Sequence, residues 1–218
     1  MVKTVFACCD DADDEEVDRN VEKLFIQLDS LNLSTYQESI IAYIAGFVVR
    51  KLRTKMSCAI CVNALTQTRL TTQQLPTSHH SSLDLILSKD RGGLVFPSES
   101  VIHIIRTAEK AFRVAVAGCQ PGTDKISSDR RLRLILSMGI NRHLHAVSLF
   151  PTLHDHDVND TDISMEDMHS TQLQKKIVAK YLSLRFRTYG KHYTKSVIQL
   201  NKEGVRQQHN KLVLFQNL

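Results

Sequence analysis

The chain has no tryptophan, and aromatic residues make up only 6% of its 218 positions against 42% apolar residues overall. That composition suits helices packed through Leu, Ile and Val better than an aromatic-rich sheet. Nowhere do 18 apolar residues run together, which argues against a membrane-crossing helix. The N-terminus lacks the basic and hydrophobic parts of a secretory signal and is followed closely by the acids of Asp10 to Asp18, so a soluble intracellular protein is expected. Five cysteines, an odd number at irregular spacing, do not describe a disulfide framework; reduced thiols or a metal site fit better. No Gly-x-Ser-x-Gly, Walker or His-Glu-x-x-His motif occurs, and no catalytic residue is assigned.

What is present is a steep charge gradient and a helical apolar pattern. Residues 1 to 22 hold eight acids against Lys3 and Arg19, a net of −6, whereas residues 170 to 218 hold ten bases against Glu203, a net of +9. The overall +5 conceals this asymmetry. A basic tail suits a phosphate-bearing partner, or the acidic head of the same or another copy of the chain.

The stretch from Ile40 to Cys61 organises the rest. Ser34-x-x-Gln37 and Thr35-x-x-Glu38 both read as capping boxes that start a helix. Ile40, Ile44, Phe47 and Val48 fall on one face, and Ile41, Ala45, Val49 and Leu52 form a stripe beside it, so burial between neighbours is expected. Gly46 inside this helix costs about 1 kcal/mol against alanine and suggests close approach by another backbone.

Around it, the spacing predicts an amphipathic helix from Glu15 to about Leu33 and a short helix over Cys61 to Leu70. A polar linker, Thr71 to Ser82, and a brief apolar segment, Leu83 to Leu87, come next. Lys89-Asp-Arg-Gly92-Gly93 is a turn. Ser98 caps a helix whose stripe is Val101, Ile104, Ile105, Ala108 and Phe112, and a further helix runs from Arg130 to about Leu149. The last long helix runs from about Glu166 to Val197 with a break near Gly190, and Leu212 to Phe215 is an apolar plug. On that helix Lys176, Lys180, Arg187 and Lys191 lie within about 60° of one another, opposite Val178, Leu182, Phe186, Tyr189 and Tyr193. Such a ridge is a solvated surface or a phosphate-contacting one, since backbone contact needs charge density and no base-specific geometry.

Two metal patterns merit weighing. Asp155, Asp157, Asn159 and Glu166 occupy positions 1, 3, 5 and 12 of a calcium loop, but Asp160 stands where glycine is needed and Asp162 where an apolar residue is needed. A solvated acidic loop is the better reading, and calcium is not expected. Cys58-x-x-Cys61 can hold one edge of a tetrahedral zinc, with two further ligands required from far along the chain.

Tyr43-Ile-Ala-Gly46-Phe-Val-Val-Arg50-Lys51-Leu52 with Cys58-Ala-Ile-Cys61 resembles the segment after the catalytic core of P-element-type transposases and their THAP-domain relatives. Arg91-Gly-Gly-Leu-Val-Phe-Pro97-Ser98-Glu99 running into Ala108-Glu-Lys-Ala-Phe112-Arg113 fits the same family, as does Lys211-Leu-Val-Leu-Phe215. The resemblance implies a mainly α fold of packed helices, the C-terminal region of an RNase H-like transposase without its catalytic core. It divides the chain into an acidic head over 1–33, a helical region over 34–150 and an acidic loop with basic helices over 151–218. Histidines before the last long helix are a family habit, which supports a structural zinc on Cys58 and Cys61 with His169 first, His156 next and His154 as substitute. The acids that hold catalytic metal ions, the DNA-binding zinc module and the nucleotide-binding insertion of the family all lie upstream of the matched segment. The resemblance thus implies a nuclear, non-catalytic remnant, contacting DNA or associating with a fuller transposase or itself, with a purely structural interaction module as the rival. No small-molecule substrate is evident.

Overall fold

The computed structural model describes residues 23–28, 30–67, 83–117, 130–153 and 169–200, with the backbone alone for Thr152 and 190–200. Residues 1–22 of the acidic head, the calcium-like loop, His154, His156 and the Leu212 to Phe215 plug lie outside these residues, as does the side chain of Lys191. A helical segment over 23–28 precedes α1 (Thr35–Arg53), α2 (Ala59–Ala64), α3 (Asp84–Lys89), α4 (Glu99–Val116), α5 (Arg130–Leu144), a 3-10 turn (Pro151–Leu153) and α6 (His169–Leu200). Extended pairing among the described residues is confined to one antiparallel bridge, Thr66 with Pro97. The fold is mainly α.

Of the two overlapping capping boxes, the chain uses the first. The Ser34 hydroxyl accepts from the Gln37 amide and the Ser34 amide donates to Gln37 Oε1 at 2.9 Å. Glu38 instead turns to α4, where Arg106 Nε donates to both carboxylate oxygens at 2.8 and 3.0 Å. Both apolar stripes of α1 are largely covered, with Ile40, Ile41, Ala45, Val48, Val49 and Leu52 buried. Phe47 is the exception at 42% exposure, because it sits at the lip of a cleft rather than beneath a neighbour.

Gly46 marks a main-chain crossing. A Cβ there would overlap the carbonyl oxygen of Val95, so the segment leading into α4 lies directly on α1. The preceding turn is held by Asp90, whose Oδ1 accepts from the amides of Gly92, Gly93 and Leu94 at 2.8 to 3.2 Å. Gly92 takes φ 94°, a left-handed conformation that favours glycine. The bridge at Thr66 and Pro97 then fixes the path into α4, with Gln67 donating to Phe96 and Ser98 donating to Leu65. Ser98 occupies the cap position, but its hydroxyl makes no cap hydrogen bond and is buried without a partner; the bridge instead holds the residue through its own amide, which donates to Leu65.

Several boundaries differ from the periodicity. The cysteine helix covers Ala59–Ala64, beginning before Cys61 and ending before Leu70, because the chain leaves it to pair with Phe96 and Pro97. The apolar segment at Leu83 resolves as the single helix α3. α5 stops at Leu144 rather than Leu149. The chain turns at 145–147, leaves Val147 exposed, and buries Leu149, Phe150 and Leu153 instead. Phe150 adopts φ 53° there, held by its buried ring and by its amide donating to Ser100 Oγ. α6 runs through Gly190 without a break.

One contiguous apolar core joins the segment at 23–28 to every helix of the bundle. At its centre lies a buried polar cluster that joins α4 to α6. Glu109 sits within the apolar stripe of α4, accepts from the Tyr181 hydroxyl, and pairs with Arg185 Nε at 2.9 Å and Arg113 Nε at 2.8 Å. Arg185 also lies 4.6 Å from the centre of the Phe112 ring, which meets Phe186 and Tyr189 edge-on. Burial alone would push the Glu109 carboxyl up. The Arg185 guanidinium, with the Tyr181 hydroxyl and Arg113, overcomes it and holds the group below its ordinary value of 4.5. Tyr181 is raised well above the usual phenol range by burial and by the Glu109 charge beside it.

Two measurements check this account. Gly46→Ala is expected to lose about 1–3 kcal/mol in denaturant unfolding because a backbone atom must move, whereas Gly93→Ala, with no atom within 4 Å of its added methyl, stays within about 0.5 kcal/mol. Glu109→Gln leaves two guanidinium groups without their carboxylate and is expected to cost about 3–5 kcal/mol near neutral pH. Since the folded carboxyl is depressed, its stabilisation is complete above the unfolded value near 4.5 and fades as pH falls through the lower folded value. The denaturant unfolding midpoints of wild type and variant, well separated near neutral pH, should therefore converge when measured in acid.

Candidate metal centre

α1 ends in a basic turn, with Lys55 donating to the Leu52 carbonyl, and Met56 and Ser57 lead into Cys58. Cys58 caps α2 in an extended conformation, and Cys61 follows three residues later, so both sulfurs share one face of a helical turn. Cys61 is buried and Cys58 half-buried, and both are thiols rather than a disulfide. Across from them stands His169, at the start of α6. Its Nδ1 lies 3.1 Å from Cys61 Sγ, and the ligand atoms of Cys58, Cys61 and His169 all lie within 4.8 Å of one another.

Tetrahedral zinc with Zn–S near 2.3 Å and Zn–N near 2.0–2.1 Å requires ligand separations of about 3.5–3.8 Å. The three groups bracket that spacing, so small side-chain movements suffice to close them on an ion. Two sulfurs and an imidazole are a soft donor set suited to zinc and poorly suited to magnesium or calcium. Of the four expected ligands, the structure thus brings together Cys58, Cys61 and His169. His156 lies outside the described residues. The buried Leu153, three positions before it, belongs to the 3-10 turn packed against α2.

The basic ridge of α6 is only partly described. Lys176 and Arg187 are exposed and Lys180 is half-buried, while Val178, Leu182 and Phe186 on the far side are buried. Lys191 is placed by its backbone alone. α6 contains no acid from His169 to Leu200. One base counted in the basic tail is withdrawn from it, because Arg185 is buried against Glu109.

Periodicity did not single out the cleft between α1 and α6. About 300 Å³ in volume, it is lined by Tyr43, Phe47, Arg50, Leu94, Val95 and Leu184 among others, none of them acidic. The signal available in sequence was that Tyr36, Tyr43, Phe47 and Arg50 share one side of the helix outside the two buried stripes or at their edge.

The family described as the C-terminal domain of DNA transposase THAP9 matches residues 32–191. Human DNA transposase THAP9 is 27% identical over 155 residues, which cover 71% of this chain and 16% of that protein. No solved structure matches. With well over half of its length matched by that family, the chain belongs to the THAP9-type DNA transposase C-terminal domains.

Proposed function

We propose that this domain is a non-catalytic, zinc-stapled part of a transposase-related protein that contacts DNA through the phosphate backbone. The carrying observation is the outward edge of α6, where Lys176 and Arg187 stand exposed on a helix without a single acid. Side chains of that kind neutralise phosphates and release counterions without reading sequence. No helix among the described residues is long and apolar enough to cross a membrane. Work on DNA assigns the protein to the nucleus. Strand cleavage and joining are not part of the proposed role, because the family that matches is described as a C-terminal domain of a transposase. If DNA binding is absent, association with a fuller transposase or a second copy remains, beside the rival role of a purely structural interaction module.

In the proposed centre Cys58, Cys61 and His169 ligate zinc and His156 supplies the fourth donor.

Two experiments test this reading. Binding to a random duplex should weaken steeply from low to moderate salt, and Lys176→Glu with Arg187→Glu should lower affinity and flatten the salt slope by about one per lost contact. A salt-independent response removes the proposal. The purified chain should carry about one zinc, replaceable by cobalt with a thiolate charge-transfer band. Cys58→Ser, Cys61→Ser or His169→Ala should abolish that band, and chelation should lower the melting temperature. His156→Ala should weaken metal binding where His154→Ala does not.

A further inference from the structure

The α1–α6 cleft is built unlike an ordinary surface depression. Tyr43 and Phe47, one turn apart on α1, are 41% and 42% exposed, and Tyr36 two turns earlier is 53% exposed. Beyond Phe47 the exposed residues of α1 are Arg50, Lys51 and Arg53, and Lys51 Nζ lies 5.7 Å from the Phe47 ring centre. The only acid of α1, Glu38, is occupied by Arg106. The solvent-facing side of this helix therefore carries rings and cations without a free carboxylate. The opposite wall is Leu184 of α6, with Lys180 one turn before it and Arg187 about one turn after it on the same side of the helix. The floor is main chain at Val95 where it crosses Gly46.

An apolar slot with exposed rings, bordered on both helices by cations and lined by no acid, selects a ligand that is planar, apolar on its faces and polyanionic along its length. A strand of unpaired nucleic acid has those properties. Its bases stack on aromatic side chains regardless of sequence while its phosphates meet lysine and arginine. Paired bases in a duplex keep their faces covered and cannot enter. We propose that this cleft binds single-stranded DNA, with an unpaired base stacked at Tyr43 and Phe47, the adjoining phosphates on Arg50 and Lys51, and the continuing strand led toward Lys180 and Arg187. The proposal deepens the DNA-contact reading and rests on it, since the ridge of α6 forms one rim of the slot.

The test compares three labelled probes of equal phosphate number with the full chain at moderate salt: an oligo-thymidylate strand, an abasic strand and a duplex. The thymidylate strand is expected to bind most tightly. Phe47→Ala and Tyr43→Ala should weaken it about five- to a hundred-fold while leaving abasic and duplex binding within about two-fold. Phe47→Trp should retain binding, and Phe47→Leu, which keeps an apolar side chain but no ring, should behave like the alanine variant. Equal affinity for thymidylate and abasic strands, or indifference to loss of either ring, overturns base stacking. In that case a loss of duplex binding on Lys176→Glu and Arg187→Glu still upholds the broader DNA-contact role. Tight binding of an acidic amphipathic peptide at this face, with no thymidylate binding, also overturns the proposal and makes the slot a protein dock.

Discussion

The setting of α6 depends on a buried ion pair, Glu109 with Arg185. Glu109 would be costly to bury alone, and it is tolerated because Arg185, Arg113 and the Tyr181 hydroxyl satisfy its oxygens within the core. Arg185 and Tyr181 are one turn apart on α6, so satisfying Glu109 with both fixes how that helix is rotated about its axis. Rotation decides everything the helix presents. With this setting, Val178, Leu182 and Phe186 face the core while Lys176 and Arg187 face outward. An apolar core alone would tolerate a slid or turned helix more easily than a network whose members must all find partners.

A second constraint acts at the other end of the same helix. His169 lies about 24 Å along α6 from Arg185, taking a rise of 1.5 Å per residue, and meets the thiol of Cys61 on α2. The ion cluster fixes rotation in the middle, and the cysteine pair fixes where the helix begins. Between these two points α6 packs most extensively against α4 and α5. The amide of Gln174 reinforces the second contact by donating to Asn141.

Much of this was legible in the residues. The capping box at Ser34, the stripes of α1 and α4, and the need for Gly46 follow from local rules of spacing and backbone sterics, and these hold in the folded chain. The pairing of His169 with Cys58 and Cys61 came from family resemblance and metal-ligand chemistry, since no spacing rule spans 108 residues. The buried cluster is not legible in the sequence, because Arg185 reads there as one more base in a basic tail. Glu109 among the apolar residues of α4 was the clue that it needed a partner. Helix ends were least legible: α5 stops early because Leu149 and Phe150 gain more by turning into the core than by extending a helix into solvent. The Phe47 ring fits a core stripe by angle, yet no neighbour arrives to cover it, which only the arrangement of α3, α6 and the 93–95 segment decides.

The crossing at Gly46 carries a consequence for how this surface can diversify. Where one peptide plane rests on another helix without an intervening side chain, the depth of the hollow above it is set by backbone shape. Replacements at positions 94 and 95 alter the lining but leave the crossing of main chain on main chain in place. Replacements at Tyr43, Phe47 or Arg50 recast the chemistry of the walls without disturbing what lies beneath. The chemistry of this surface can thus change at its walls while the main-chain contact under it stays as it is.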